Sequence, residues 1–469
     1  MTKSLPQLEG RSHFTGLGSF RTQYGTVQSF ECAFFLPPSE MAKIWILVRP
    51  RSRVEGPVIL DWKFSCELTV GTDVFAAEEI FHSGYIPWDW GEGAEDTLVG
   101  DTTKLTVRRE DAKGSPILRA RFVITPSALL RSADLITEKN GEPVSGQVVR
   151  PGPVCHAAPG MTFRFSSAYR RSPVGKVESH VECELMEVVA MANPKQVLAS
   201  LEDILTLASL AERRVLILTG WHVEYATGAS MSSYRRDFPA PSDEETDVDE
   251  TLISLGSTQE FLNDSLAKLA SLPHPGAMKQ AIQFALHGQG RGIGDSFVML
   301  FAGVETLLNL FVAEQDLEPI IARKQWEPLF DQMVAAVSGQ ENFKALSDDI
   351  RTQLLGNVRG ANRASFADRF RRMCSSQKID LADLWPMLGG QGSLYAVRNR
   401  IVHGRVFSTD QEWFRVISAK FHLLWTLERS ILCILGWPIE RSRVSPQTLR
   451  GRTLYSEWRA DRDYFVATK

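Results

Sequence analysis

Six consecutive residues near the C-terminus, Arg398-Asn399-Arg400-Ile401-Val402-His403, place a guanidinium, an amide and an imidazole within little more than one helical turn. Those groups suit phosphodiester cleavage by the RNA's own 2′-hydroxyl. An imidazole takes the 2′-OH proton or protonates the leaving 5′-oxygen. A guanidinium binds the non-bridging oxygens and stabilises charge gathering on the phosphorane. An amide orients either group. Because the nucleophile belongs to the substrate, the scheme asks for neither a protein nucleophile nor a metal.

These residues must be positioned by a helix. Leu394, Val397 and Ile401 recur on one stripe that faces a core. At about 100° per residue, Asn399 and His403 project from nearly the same face; Arg398 lies about 140° from His403, and its long side chain curls back toward the same pocket. Gly404 is a natural helix stop, which puts His403 in the last turn, where the helix dipole favours a cation. An Arg five residues before a His arises about once by chance in a chain of this length. A helix-capping His beside a surface Arg is therefore the plain alternative, and the surroundings of the motif must decide.

From Gly276 onward the chain reads as helices, roughly Met278–Leu286, Asp295–Glu314 with Asp295 or Ser296 as N-cap, Trp326–Ser338, Asn342–Leu355, Ser365–Cys374, Asp380–Met387, Ser393–His403 and Thr409–Leu435. Thr409-Asp410-Gln411-Glu412 is a capping-box pattern opening the last of these. The run Gly288-Gln289-Gly290-Arg291-Gly292-Ile293-Gly294 follows no strand and lacks a Lys-Ser/Thr ending, so it reads as a helix connection, with phosphate contact as the lesser option.

The N-terminal part reads differently. Lys43–Val48, Val58–Val70, Leu105–Val107, Leu118–Ile124, Met161–Phe165 and His180–Val188 are short, β-branched and aromatic, separated by Gly/Pro/Asp breaks. Such strands without intervening helical patterns indicate a sandwich or barrel. Trp88-Asp89-Trp90-Gly91-Glu92-Gly93 reads as an aromatic loop, either a turn with packed tryptophans or a ligand contact. Asn193-Pro194 opens a helix over Lys195–Leu207, and Arg214–Glu224 reads as a further strand. Asp237–Glu245 is an acidic, proline-bearing linker, or a flap competing with RNA. The expected organisation is an α+β multidomain chain: a β-rich, sandwich-like domain over 1–192, a mixed connecting region over 193–275 and an all-α bundle over 276–469.

Residues 351–469 hold 20 Lys/Arg against 10 Asp/Glu, leaving 32 against 46 in the remainder. A basic quarter in an acidic chain suits a polyanionic partner, since neutralising phosphates releases counterions, although a solvated arginine-rich surface has the same composition. Cys32, Cys66, Cys155, Cys183, Cys374 and Cys433 form no CxxC pair and no Cys/His cluster at zinc spacing, so free thiols in a reducing cytoplasm are expected, with no metal and no cofactor. No run reaches about 20 uninterrupted apolar residues, and Phe297–Val312 is broken by Glu305 and Asn309, so no membrane partner is expected.

The string Tyr395-Ala396-Val397-Arg398-Asn399-Arg400-Ile401-Val402-His403-Gly404 resembles the motif of the HEPN superfamily, and within it the ApeA-like HEPN proteins of bacterial anti-phage defence. Phe297-Val298-Met299-Leu300-Phe301-Ala302-Gly303-Val304-Glu305-Thr306-Leu307-Leu308 resembles the family's early helix with its acidic residue, and Glu412–Leu435 is similar to the long helix that follows the motif. The likeness covers roughly Gly276–Trp437; it is looser in the N-terminal half, where a β-rich region precedes Leu201–Leu210. The resemblance implies RNA cleavage by Arg398 and His403, supported by Asn399. It further implies a homodimer in which two motifs face each other. Glu305 is the candidate to hold Arg398 or His403 from the facing helix, or is a buried carboxylate paired with another Arg. Arg400, Arg405 and Tyr395 are candidates for RNA contact. The leading expectation is a cytoplasmic abortive-infection endoribonuclease acting on RNA, transfer RNA among the options, with a phage-derived trigger at the β-rich half. A non-catalytic HEPN scaffold or RNA-binding protein is the alternative, and a carbohydrate-binding β-sandwich rests only on Trp88 and Trp90.

Overall fold

The computed structural model describes residues 13–22, 27–35, 44–50, 63–89, 94–102, 104–109, 115–139, 142–157, 160–171, 177–187, 193–235, 250–288, 292–315, 321–360, 362, 364–404, 407 and 409–467, and the architecture below is that of these residues. They divide into two compact units, 1–208 with 215–249 and 209–214 with 250–469.

The first unit is built from strands β1 (His13–Thr22), β2 (Val27–Phe35), β3 (Ile44–Pro50), β4 (Lys63–Val70), β5 (Asp73–Asp89), β6 (Ala94–Thr102), β7 (Lys104–Arg109), β8 (Ile117–Ile124), β9 (Ala133–Lys139), β10 (Glu142–Arg150), β11 (Val154–Ala157), β12 (Met161–Arg171) and β13 (Val177–Glu187). Helix α1 (Pro194–Glu212) and strands β14 (Leu218–Tyr225) and β15 (Ser230–Arg235) follow. Thirteen strands form one antiparallel sheet in the order β11-β12-β13-β8-β14-β15-β7-β5-β4-β1-β2-β3-β6, while β9 and β10 pair separately.

Of the two expected arrangements, a sandwich or a barrel, the sheet takes the second in part, closing on itself over six strands. The 17-residue β5 changes partners along its length. Asp73–Phe81 pairs with β4 and, over Asp73–Glu78, with β7, whereas Phe81–Asp89 pairs with β6. A register shift between His82 and Gly84 marks the exchange, and such a bulge bends a strand and increases its twist. Strands β5, β4, β1, β2, β3 and β6 thereby form a ring. Alternation fills it: Phe30, Cys32 and Phe34, then Ile44, Ile46 and Val48, share one cluster with Cys66, Leu68 and Phe75. The intervening Ala33, Phe35, Trp45 and Leu47 pack with Val99 in another.

The expected connecting region over 193–275 is shared between the two units rather than standing apart. Asn193 and Gln196 exchange reciprocal 3.0 Å side-chain bonds with each other's backbone N–H groups at the start of α1, as the Asn-Pro signal indicated. The strand foreseen from Arg214 begins only at Leu218, because Arg213 turns to φ +54 at the end of α1. Strand β14 then finds its partners in β8 and β15, within the sheet. Residues 250–275 join the helices. The acidic segment 237–245, like Trp90 and residues 91–93, lies outside the described residues.

The second unit contains α2 (Thr258–Ser271), α3 (Pro275–His287), α4 (Ile293–Gln315), α5 (Arg323–Ser338), α6 (Glu341–Lys344), α7 (Asp348–Gly360), α8 (Phe366–Ser376), α9 (Leu394–Val402), α10 (Asp410–Ile434), α11 (Pro446–Leu449), α12 (Thr453–Ser456) and α13 (Trp458–Ala467). Helix α10 is its axis and touches α3, α4, α9, α12 and α13. Thr409 and Glu412 complete the foreseen capping box. Gly303 lets α4 approach α10: a Cβ there would meet Leu427 Cδ2 at 2.7 Å. Helix α4 is long and apolar enough to cross a membrane by length and composition, and half of that stretch is buried within the protein.

Three helix expectations are corrected. Helix α4 begins at Ile293, with the Ser296 N–H bonded to the Gly292 carbonyl, so Asp295 and Ser296 lie inside its first turn rather than capping it. The single helix expected over 342–355 is two, α6 and α7, the second opening with Asp348 and Asp349 in its first turn, where the helix dipole favours acids. Residues 380–387 are not helical. Pro386 disfavours helical geometry before it, and the backbone and side chains there bond to α10, as described next.

Candidate active site

Helix α9 is fixed before its chemistry begins. The Ser393 hydroxyl caps it by accepting from the Ala396 N–H, and Leu394 and Val397 are fully buried. Gly392 lies so close to α13 that a Cβ would meet Val466 at 2.6 Å. The helix packs against α4 and α10.

It ends one residue earlier than expected. His403 is the C-cap rather than a member of the last turn, and its N–H bonds to the Asn399 carbonyl at 3.0 Å. Gly404 takes φ +68, and its N–H returns to the Ile401 carbonyl at 3.1 Å. A left-handed residue at this position is the usual glycine close. The backbone bond from His403 to Asn399 places the two on successive turns, as the spacing suggested, and His403 is exposed.

Arg398 is half-buried and differently held. Its Cζ lies 5.5 Å from the centroid of the Phe301 ring of α4, a cation–π distance. Its Nη1 donates to Asn399 Oδ1 at 3.2 Å. Its Nε is buried and, among the described residues, has no hydrogen-bond partner. Phe301, Phe366 and Tyr395 form a ring cluster beside it, with centroids 5.1 to 5.9 Å apart. Asn399 is thus joined to Arg398, while Arg398 and His403 share no hydrogen bond.

The remaining candidates separate. Glu305 sits one turn beyond Phe301 on α4, yet forms neither hydrogen bond nor ion pair with Arg398 or His403; the Arg398 guanidinium lies over the Phe301 ring. Arg400 does not face outward for RNA: its Nη2 donates to the Phe465 carbonyl at 2.8 Å and its guanidinium lies 5.4 Å from the Phe465 ring, tying α9 to α13. Tyr395 is partly exposed but belongs to the ring cluster. Arg405 lies outside the described residues. Among the described residues, no group of three or more His, Cys, Asp or Glu side chains is placed to hold a metal.

Sequence reasoning missed a second Arg/His pair on α10. His422 is fully buried: its Nδ1 accepts from the Trp385 N–H at 3.1 Å and its Nε2 lies 3.1 Å from the Leu454 carbonyl. One neutral tautomer satisfies both bonds. Burial pulls its pKa down to about 4, against a smaller upward effect of the Leu454 bond. Arg429 is equally buried and donates to both oxygens of Asp383 at 2.5 and 2.7 Å and to the Val444 carbonyl at 2.7 Å. Burial alone would raise the Asp383 carboxyl, but bonds from Arg429 and the Tyr455 hydroxyl hold it below its ordinary value. The residues 380–387 are therefore drawn out of helix by what they bind. Only the apolar surroundings of His422 on a continuous helical pattern could have signalled this role.

The basic surplus is also partly spent. Arg441 pairs with Glu260, Arg415 with Asp461, Arg462 with Asp463 and Arg371 with Asp368. Glu428, buried on α10, receives two 2.7 Å bonds from Arg213. Comparison of the chain with protein families, with curated proteins and with solved structures finds no match.

Proposed function

We propose that the helical unit is an endoribonuclease of HEPN type, cutting RNA by attack of the 2′-hydroxyl and leaving 2′,3′-cyclic phosphate and 5′-OH ends. Arg398 clamps the scissile phosphate, His403 moves the proton, and Asn399 holds the guanidinium. The observation that carries this reading is the free state of both groups. Among the described residues, His403 stands exposed at a helix end with no ion pair, and Arg398 keeps donors uncommitted to any carboxylate, in a unit where many other arginines are bound to acids. A structural Arg or His would ordinarily be satisfied.

Arg398 and His403 of one chain share no hydrogen bond, which favours a homodimer that brings the two motifs together. Val402 and, at the start of α10, Trp413 and Phe414 are exposed apolar side chains available to such a contact. Cytoplasmic anti-phage defence, transfer RNA as substrate and a phage-derived trigger at the β-unit belong to the same proposal and rest on the motif's resemblance. The same lack of an Arg398–His403 bond, with Glu305 engaged by neither, favours one second reading: an HEPN protein that binds RNA without cutting it.

Purified full-length protein incubated with total bacterial RNA in EDTA, before and after phage challenge of the source cells, separates the two. Wild-type cleavage with cyclic-phosphate ends, absent in His403→Ala, is the expected result. Intact RNA under both conditions, or equal cutting by His403→Ala, would overturn catalysis.

A further inference from the structure

A second constellation lies in the β-unit, unconnected with the RNA-cleavage reading. Strands β8, β13, β14 and β15 enclose a hollow of about 300 Å³ on one face of the sheet, lined by Arg121, Glu182, His222, Glu224, Ser232 and Tyr234 among others. Register brings these side chains together. His222 is the cross-strand partner of Ser232 on β15 and of Arg121 on β8, and Glu224 follows it by two residues on the same face.

The distances describe a relay. The Ser232 Oγ lies 2.7 Å from His222 Nδ1, and His222 Nε2 lies 3.2 Å from Glu224 Oε1. One tautomer satisfies both contacts: Nε2–H donates to the carboxylate, and Nδ1 accepts the hydroxyl proton. A nucleophile bonded to a base that is oriented by a third group is the arrangement that activates a serine. Of the two neighbouring guanidiniums, one is bonded to an acid and the other acts on the Glu182 carboxylate only through its charge. Arg119 is held by Glu184 at 3.0 Å, whereas Arg121, among the described residues, donates no hydrogen bond. The His222 and Glu224 side chains are 44% and 45% exposed, so water reaches the site.

We propose that Ser232 is the nucleophile of an acyl-transfer site that hydrolyses small esters. The Ser232 oxygen attacks the ester carbonyl carbon while His222 takes its proton, and the guanidinium of Arg121 faces the oxyanion. Collapse breaks the bond to the alcohol, which leaves with the proton from His222. Water then attacks the acyl-serine with His222 again as base, releasing the carboxylic acid and restoring the hydroxyl. Glu224 is a positioning residue that keeps Nδ1 directed at the serine.

Full-length protein treated with an alkyl fluorophosphonate, digested and mapped by mass spectrometry tests the site. One adduct at Ser232 is expected, absent in Ser232→Ala and formed about a hundredfold or more slowly in His222→Ala. Glu224→Gln should lower the maximal labelling rate while leaving the half-saturating probe concentration unchanged, and Glu224→Asp should restore part of it. Hydrolysis of p-nitrophenyl acetate should follow the same order. These are partly exposed strand positions, and circular dichroism equal to wild type establishes that each variant is folded. No adduct at Ser232, preferential labelling of Ser230, or an unchanged rate in His222→Ala overturns the proposal. None of these outcomes bears on RNA cleavage, which His403→Ala reads separately.

Discussion

Helices α9 and α10 each carry an arginine and a histidine, and their surroundings assign the two pairs different work. On α10, His422 and Arg429 are at most 1% exposed, and their polar atoms meet Trp385, Leu454, Asp383 and Val444. Three stretches of chain outside α10, around Asp383–Trp385, Val444 and Leu454, are fastened by two side chains. On α9, His403 is exposed at a C-cap, and among the described residues Arg398 finds only a ring and a neighbouring amide. Residue type is the same in both places; what differs is whether the bonding capacity is used within the fold. A group whose capacity is used holds structure, and one left free beside solvent remains for a ligand.

That contrast predicts a clean exchange of phenotypes. His403→Ala and Arg398→Ala should each reduce RNA cleavage by about 10²–10⁴-fold, the range lost with a general acid–base or a charge-stabilising donor, with Tm unchanged in His403→Ala and lowered only slightly in Arg398→Ala. Arg429→Ala should do the reverse. It strands Asp383 without its cation and should cost about 3–5 kcal/mol of stability, measured by urea unfolding. A His403→Ala variant that unfolds early, or an Arg429→Ala variant as stable as wild type, would break the comparison.

The same contrast explains what could be read without a structure. Periodicity located seven of the fifteen strands and most of the longer helices, because apolar spacing reports the face that must be buried, and Thr409 and Glu412 announced the start of α10 through local chemistry. Legibility stopped where distant partners decide. Residues 380–387 carry a helix-compatible pattern, yet Asp383 and the Trp385 N–H are claimed by Arg429 and His422, more than 35 residues away. The partner exchange along β5 that closes the ring depends on pairing no local window displays. At the candidate site, Asn399 and His403 were legible from helical spacing. The meeting of Arg398 with Phe301, in place of Glu305, was not, since it depends on how α9 lies on α4.

Histidine titration sharpens the comparison. The folded pKa of His422, about 4, lies below its ordinary value of 6.5. As pH falls, the unfolded chain takes up this proton first, so the stabilisation is complete above pH 6.5 and declines down to about pH 4. The full loss is about 3 kcal/mol for a shift of this size. Urea unfolding of wild type and His422→Asn at pH 7, 5.5 and 4.5 should show this component only in wild type. Identical pH dependence in both proteins would mean that His422 is not the buried neutral imidazole its bonds require.

The smallest effect concerns the arginine two residues beyond Arg398. Arg400 belongs to the exposed-motif string but behaves like the α10 pair: it bonds the Phe465 carbonyl and covers the Phe465 ring. Losing one charge-assisted bond and one cation–π contact at a half-buried site should cost about 1–2 kcal/mol. Arg400→Ala should therefore lower Tm slightly while RNA cleavage, assayed well below the new Tm, stays at the wild-type rate. Arg400→Lys should recover little of the stability, because an ammonium cannot reproduce a guanidinium that is both stacked and bonded. Weakened RNA binding with unchanged Tm would place Arg400 with Arg398 and His403 instead, and would move the boundary between bonded and free groups inside α9 itself.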